Sequence, residues 1–280
     1  MSPTQSSPAL PETWGRLRGA PRRWEAPLTP PPPDEEEVHV WRLRMHADPV
    51  HAARLASVLD AHERERAGRF HFPAGRERYV ASHGVLRVLL SLYTGVPPGD
   101  VTINRSAGGK PSLAPADARS PLTFNMAHAL DGALFAFRAG EGELGVDVEH
   151  VSADAPIEEM SRASLSEREK SALDALPRGE RRATFFQWWT RKEAVLKATG
   201  EGLAASLERL SVIPPELLPC GQGEDDAGSP AAASWCVWDL HPWRGFAGAL
   251  ACRRVPVRVR LFDAGGTAAQ YFAPGARGNA

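Results

Sequence analysis

Apolar and polar residues alternate along Val38-His39-Val40-Trp41-Arg42-Leu43, the two-residue period of a strand that buries one face. Short runs rich in β-branched and aromatic side chains predict further strands at Val101 to Ile103, Leu122 to Asn125, Ala133 to Phe137 and Leu144 to Val148. Four more follow at Leu210 to Ile213, Trp235 to Leu240, Phe246 to Cys252 and Val255 to Leu261. In two places the spacing lengthens to that of a helix, about Arg76 to Tyr93 and about Glu180 to Thr199, with Gly200 as a C-cap for the second. Leu59-Asp60-Ala61-His62-Glu63 and Leu165-Ser166-Glu167-Arg168-Glu169 both read as helix starts, each with a capping residue and a Glu three positions on.

This order of elements repeats. Each half holds a capped helix start, a long helix and then strands, so the prediction is an α+β fold of two similar lobes, 38–150 and 151–265, joined near residue 150. Residues 1–37, with prolines from Pro30 to Pro33 and an acidic run from Asp34 to Glu37, predict a disordered leader, although Trp14 and Trp24 are suited to docking. Residues 219–233 read as a surface loop, and 266–280 as a flexible tail.

Composition narrows the class. At 280 residues and 42% hydrophobic, the chain can bury one large core or two smaller ones. A net charge of −1 gives no global field for nucleic acid. There is no apolar run of membrane-spanning length and no signal-peptide core, so a cytoplasmic protein is expected. Cys220, Cys236 and Cys252 lack the paired spacing of a zinc site. Only four lysines stand against 29 arginines, and two of the four, Lys192 and Lys197, fall within one helical segment. Lysine offers a compact point charge where arginine offers a flat fork.

The candidate chemistry sits in two segments. In Gly145-Val146-Asp147-Val148-Glu149 the two acids point to one face of a strand and the valines to the other. In Trp189-Thr190-Arg191-Lys192-Glu193-Ala194-Val195-Leu196-Lys197, spacings of three and four put Trp189, Lys192, Glu193, Leu196 and Lys197 on one helix face. Three carboxylates suit a hard divalent cation, and lysines beside them suit the phosphates that such a cation bridges. Taken singly, each segment fits a second description: a solvated strand edge for the first, an amphipathic helix with a surface Glu–Lys pair for the second. His128 after Phe124-Asn125-Met126-Ala127, Lys110 in Gly108-Gly109-Lys110-Pro111, and the arginines Arg69, Arg76 and Arg78 are equally open when read alone.

In combination they are specific. Gly-Lys-Pro, then Phe-Asn-x-x-His, then Gly-Val-Asp-Val-Glu, then Trp-x-x-Lys-Glu-Ala-x-x-Lys followed by Gly200-Glu201-Gly202-Leu203, resembles the 4′-phosphopantetheinyl transferase superfamily over about Val38 to Ile213. The likeness is to its larger single-chain class, in which two lobes form a pseudodimer with the active site between them. The resemblance implies transfer of 4′-phosphopantetheine from coenzyme A to a serine of an apo acyl or peptidyl carrier protein, with Mg²⁺ held by Asp147, Glu149 and Glu193. It implies Glu193 and Lys197 as the catalytic pair, and Arg69, Arg78, Lys110, Pro111, His128, Lys192 and Lys197 as contacts to coenzyme A. A monomer is expected, with polyketide or nonribosomal-peptide carriers as partners. One position departs from the family: Ala127 stands where a serine commonly precedes the histidine, which removes a hydroxyl contact to phosphate. The other readings are a different Mg²⁺-dependent phosphotransferase or hydrolase, and a carrier-binding module without catalysis.

Overall fold

The computed structural model describes residues 23–27, 29–34, 36–45, 49–106, 109–115, 121–200, 207–213, 235–253 and 258–273. The fold is α+β. Strand β1 (Glu37–Arg44) leads into helices α1 (Pro49–Ser57), α2 (Ala61–Gly68) and α3 (Pro73–Thr94). A small hairpin, β2 (Ile103–Arg105) and β3 (Pro111–Leu113), precedes β4 (Leu122–Ala129), β5 (Gly132–Ala139) and β6 (Leu144–His150). The second half runs α4 (Ile157–Ser164), α5 (Glu167–Asp174), α6 (Arg178–Thr199), β7 (Trp235–Leu240), β8 (Phe246–Arg253), β9 (Arg258–Asp263) and α7 (Ala264–Tyr271).

Both helix starts predicted from capping signals are capping boxes. Asp60 accepts from the N–H of Glu63, and Ser166 from that of Glu169, while each Glu reaches back to its cap residue. The halves share a further device. Glu63 is buried against Arg87 of α3 at 2.5 Å, and Glu169 is buried against Lys192 of α6 at 2.6 Å. Both long helices have 22 residues and end at a left-handed glycine, Gly95 (φ 77°) and Gly200 (φ 76°). They start earlier than predicted because Pro73 enters α3 in its first turn and Pro177 caps α6.

The sheets do not respect the boundary at residue 150. One sheet has the order β4-β5-β1-β9 and the other β6-β8-β7. Thus β6, expected in the first lobe, pairs with β8, and β9, expected in the second, lies parallel to β1. The outer edge of β9 leaves backbone groups that need partners. Residues 23–27, expected within a disordered leader, supply them: the N–H of Glu25 donates to Leu261 O at 3.0 Å, and that of Asp263 to Glu25 O at 2.6 Å. Trp24 lies over the Arg42 guanidinium at 4.7 Å. Residues 264–271, reaching into the expected tail, form α7, which buries Ala264, Thr267 and Ala268. The expected strand at Leu210 to Ile213 is instead irregular chain after a 3₁₀ turn, Leu207–Arg209, with the Val212 N–H taken by the Glu169 carboxylate. The expected loop at 219–233 lies outside the described residues.

Alternation decides the layers. Val38 and Val40 of β1, Leu134 and Ala136 of β5, and Val146 and Val148 of β6 belong to one apolar cluster that joins the two sheets. Trp41 and Leu43 face the other way, into a cluster with α3 and α7. On the far side of the second sheet, α6 lies on β6 and β8 through Ala194 and Val195 against Ala249 and Ala251.

Candidate active site

The closeness of α6 to β6 positions the chemistry, and a glycine makes it possible. A Cβ at Gly145 would stand 2.0 Å from Ala194 O and 2.5 Å from Ala198 N, so only the bare backbone fits. Gly145, Asp147 and Glu149 share a strand face, and with α6 pressed on it the acids meet Glu193 and Lys197. The Asn125 side chain accepts from the Val146 N–H at 2.9 Å and ties β6 to the first sheet.

Lys197 donates to Asp147 Oδ1 at 2.5 Å. Asp147 Oδ2 and Glu193 Oε1 are buried with no hydrogen-bond partner. Buried polar atoms are ordinarily satisfied, so both oxygens are free to take a ligand without giving up a hydrogen bond. Burial pushes Asp147 up to about 7, with the negative charges of Glu149 and Glu193 adding to the effect and Lys197 opposing it. Glu149 and Glu193 are raised as well, first by burial; Lys197 opposes both, and the Trp189 side chain hydrogen-bonds to Glu149. Among the described residues, no three His, Cys, Asp or Glu side chains are drawn together closely enough to hold a metal ion. The donor set is nonetheless that of a hard cation: three carboxylates, two of them with unsatisfied buried oxygens.

Beside Lys197 opens a cavity of 280 Å³ lined by His128, Ala127 and Pro111. His128 sits within β4 rather than after it. Its side chain is exposed, yet loss of hydration at the cavity wall lowers its pKa, helped by the neighbouring His83, Lys197 and Arg78. The other wall holds Arg66, His83 and Arg105, which the sequence reading missed. Arg66 was findable, since it stands in α2 three residues before Arg69, the C-cap of that helix; Arg105 and His83 meet it only through the fold. His83 stacks on Tyr79 with centroids 4.0 Å apart, and its Nδ1 lies 3.3 Å from Glu63. This wall is cationic and suits phosphate.

The remaining predicted residues divide. Lys110 donates to Ala198 O at 2.5 Å, compensating the last carbonyls of α6, and burial lowers its pKa. With Pro111 it separates the first cavity from a second of 540 Å³ lined by Leu113, Leu122, Phe124 and Gly200. Arg78 is exposed on α3, with its charge felt at His128. Arg69 pairs with exposed Glu65 at 2.5 Å and lines a different cleft. Glu201, Gly202 and Leu203 of the last motif lie outside the described residues.

Lys192 is a correction. The resemblance implied that it contacts coenzyme A, but it is fully buried on the opposite side of α6. Its ammonium lies 2.6 Å from Glu169 and donates to Leu207 O and Leu210 O at 2.8 and 2.6 Å. Burial lowers its pKa and Glu169 opposes that. It locks α5 and the 207–210 turn to α6.

Residues 143–251 match the 4′-phosphopantetheinyl transferase superfamily, and residues 46–139 match the N-terminal region of 4′-phosphopantetheinyl transferases. Over 217 residues the chain is 35% identical to the 4′-phosphopantetheinyl transferase HetI of Nostoc sp. PCC 7120, covering 76% of this chain and 88% of that protein. The chain belongs to the 4′-phosphopantetheinyl transferase superfamily. It is also 27% identical over 161 residues to Sfp of Bacillus subtilis (57% of this chain, 68% of Sfp). With the human L-aminoadipate-semialdehyde dehydrogenase-phosphopantetheinyl transferase it shares 29% over 175 residues (58% and 55%). As a member of this superfamily it is a transferase that places 4′-phosphopantetheine on carrier proteins.

Proposed function

We propose that the reaction takes place where α6 crosses β6, with coenzyme A as donor and a carrier-protein serine as acceptor. Asp147, Glu149 and Glu193 are the residues that would hold Mg²⁺, which supplies neutralisation of pyrophosphate charge. The observation that carries this reading is the pair of buried, unpartnered oxygens on Asp147 of β6 and Glu193 of α6, two elements whose backbones touch at Gly145. Lys197 contributes a second positive charge to the transferring phosphate, and His128 with Arg66 and Arg105 orients the remaining phosphates from the cavity wall. Glu193, whose affinity for a proton is raised by burial, takes the proton of the attacking serine hydroxyl. The bond from that oxygen to the β-phosphorus forms as the bond to the adenosine 3′,5′-bisphosphate leaving group breaks. Phosphoryl-type transfer of this kind rests on positioning and charge, which these residues provide.

The same reading takes the protein as a cytoplasmic monomer acting on polyketide or nonribosomal-peptide carriers. Among the described residues no helix is long and apolar enough to cross a membrane. The test is intact-mass spectrometry of an apo carrier incubated with the protein, coenzyme A and Mg²⁺, beside an EDTA control and the Glu193→Ala variant. The reading requires a metal-dependent gain of one phosphopantetheinyl group that Glu193→Ala abolishes while remaining folded. A folded wild-type protein that binds carriers but modifies none of several types would favour a carrier-binding module, and a Glu193→Ala variant of full activity would overturn the site.

A further inference from the structure

Lys197 stands one turn after Glu193 and places its ammonium 2.5 Å from Asp147. One flexible side chain therefore serves as the counter-charge of the buried Asp147 carboxylate. Its Asp147 partner is nearly fully buried, while the Lys197 side chain keeps a third of its surface open and lines the cavity with His128. A lysine with four rotatable carbons can turn from the acids to an anion in that cavity without backbone movement.

A divalent cation at Asp147 Oδ2 and Glu193 Oε1 would meet the ammonium held on Asp147 Oδ1, and like charges this close repel. Phosphates in the adjoining cavity would attract the ammonium away. We propose that Lys197 and a divalent cation compete for Asp147, and that coenzyme A ends the competition by drawing Lys197 onto its phosphates, so that cation and coenzyme A bind with positive coupling. This rests on the metal and coenzyme A assignments above and adds an order to them: the site is completed by the substrate. A divalent cation alone binds weakly, which keeps the acids from being charged with metal before a donor is present.

Mn²⁺ serves as the probe, its binding to the full-length protein followed by electron paramagnetic resonance without carrier, so that no turnover occurs. The measurement is made at about pH 8, above the value of about 7 to which burial pushes Asp147. Coenzyme A should tighten Mn²⁺ binding by about tenfold or more, within the 5- to 150-fold usual for coupled sites. Without coenzyme A, Lys197→Gln should bind Mn²⁺ more tightly than wild type and lose most of the coenzyme A effect, whereas Lys197→Arg, which keeps the charge, should resemble wild type. Circular dichroism checks that each variant is folded. Lys197→Gln binding Mn²⁺ no more tightly than wild type, or keeping the whole coenzyme A effect, overturns the competition while leaving the metal site in place. Unchanged Mn²⁺ binding in Asp147→Asn overturns the proposal together with the metal assignment beneath it.

Discussion

Replacing Gly145 by alanine adds one methyl group at the point where helix and strand backbones touch. That methyl would sit 2.0 Å from Ala194 O and 2.5 Å from Ala198 N, whereas ordinary contact begins at 3.4 Å. Neither neighbour is a side-chain end that can swing aside; both belong to α6 within its hydrogen-bonded ladder. Relief requires α6 to move from β6 by on the order of 1 Å or more, and a misplacement of that size costs about 10²-fold in rate. Overpacking of this kind costs about 1–3 kcal/mol, which for a chain of this size lowers Tm by roughly 2–12 °C. The assay is the rate of carrier conversion by intact mass, beside a thermal melt. The expected result is a folded protein, a few degrees less stable, with kcat/KM down by about two orders of magnitude, since Glu193 and Lys197 ride on the displaced helix. A Gly145→Ala variant with wild-type rate and Tm would refute the claim that direct backbone contact assembles the site.

Three further outcomes follow from the same structure. Asp147, held near 7 against an ordinary 3.8, favours its protonated form in the fold; that stability, on the order of 4 kcal/mol, is full below about pH 4 and lost as pH rises through 7. Mg²⁺ takes the ionised form, so the rise in Tm on adding it should grow from about pH 5 to about pH 8 and vanish in Asp147→Asn; a pH-independent Mg²⁺ effect would contradict this. Lys192→Ala leaves the buried Glu169 carboxylate without its counter-charge and should cost about 3–5 kcal/mol in chemical denaturation with KM for coenzyme A unchanged, whereas a variant of wild-type stability with a raised KM would mean that Lys192 contacts coenzyme A after all. Ala127→Ser restores a hydroxyl at the cavity wall and should lower KM for coenzyme A by about tenfold with kcat unchanged, as one hydrogen bond to a charged group allows; an unaltered KM would mean that the position does not face phosphate.

By itself the sequence determined what is local. Capping boxes at Asp60 and Ser166, the left-handed stop at Gly200, the alternation in β1 and the shared face of Asp147 and Glu149 all follow from spacings of two to four residues, which backbone geometry imposes wherever the segment lies. It also singled out Glu193 and Lys197, because helical period places them together. What it left undecided was long-range. Whether β6 pairs in the first sheet or the second, and that β9 returns to β1, depend on open hydrogen-bonding edges far along the chain. The docking of Glu25 on β9 has the same cause, since a proline-rich segment carries no sign of the edge it will cover. Lys192 and Lys197 show the limit most directly: five residues apart on one helix, with the same charge, they point to opposite environments. Lys192 is drawn into the core by Glu169 and Lys197 into the cleft by Asp147, and only the tertiary structure tells which acid each lysine meets. Arg66, His83 and Arg105 come from three separate elements, so their meeting at one cavity wall is a property of packing that no single stretch of sequence encodes.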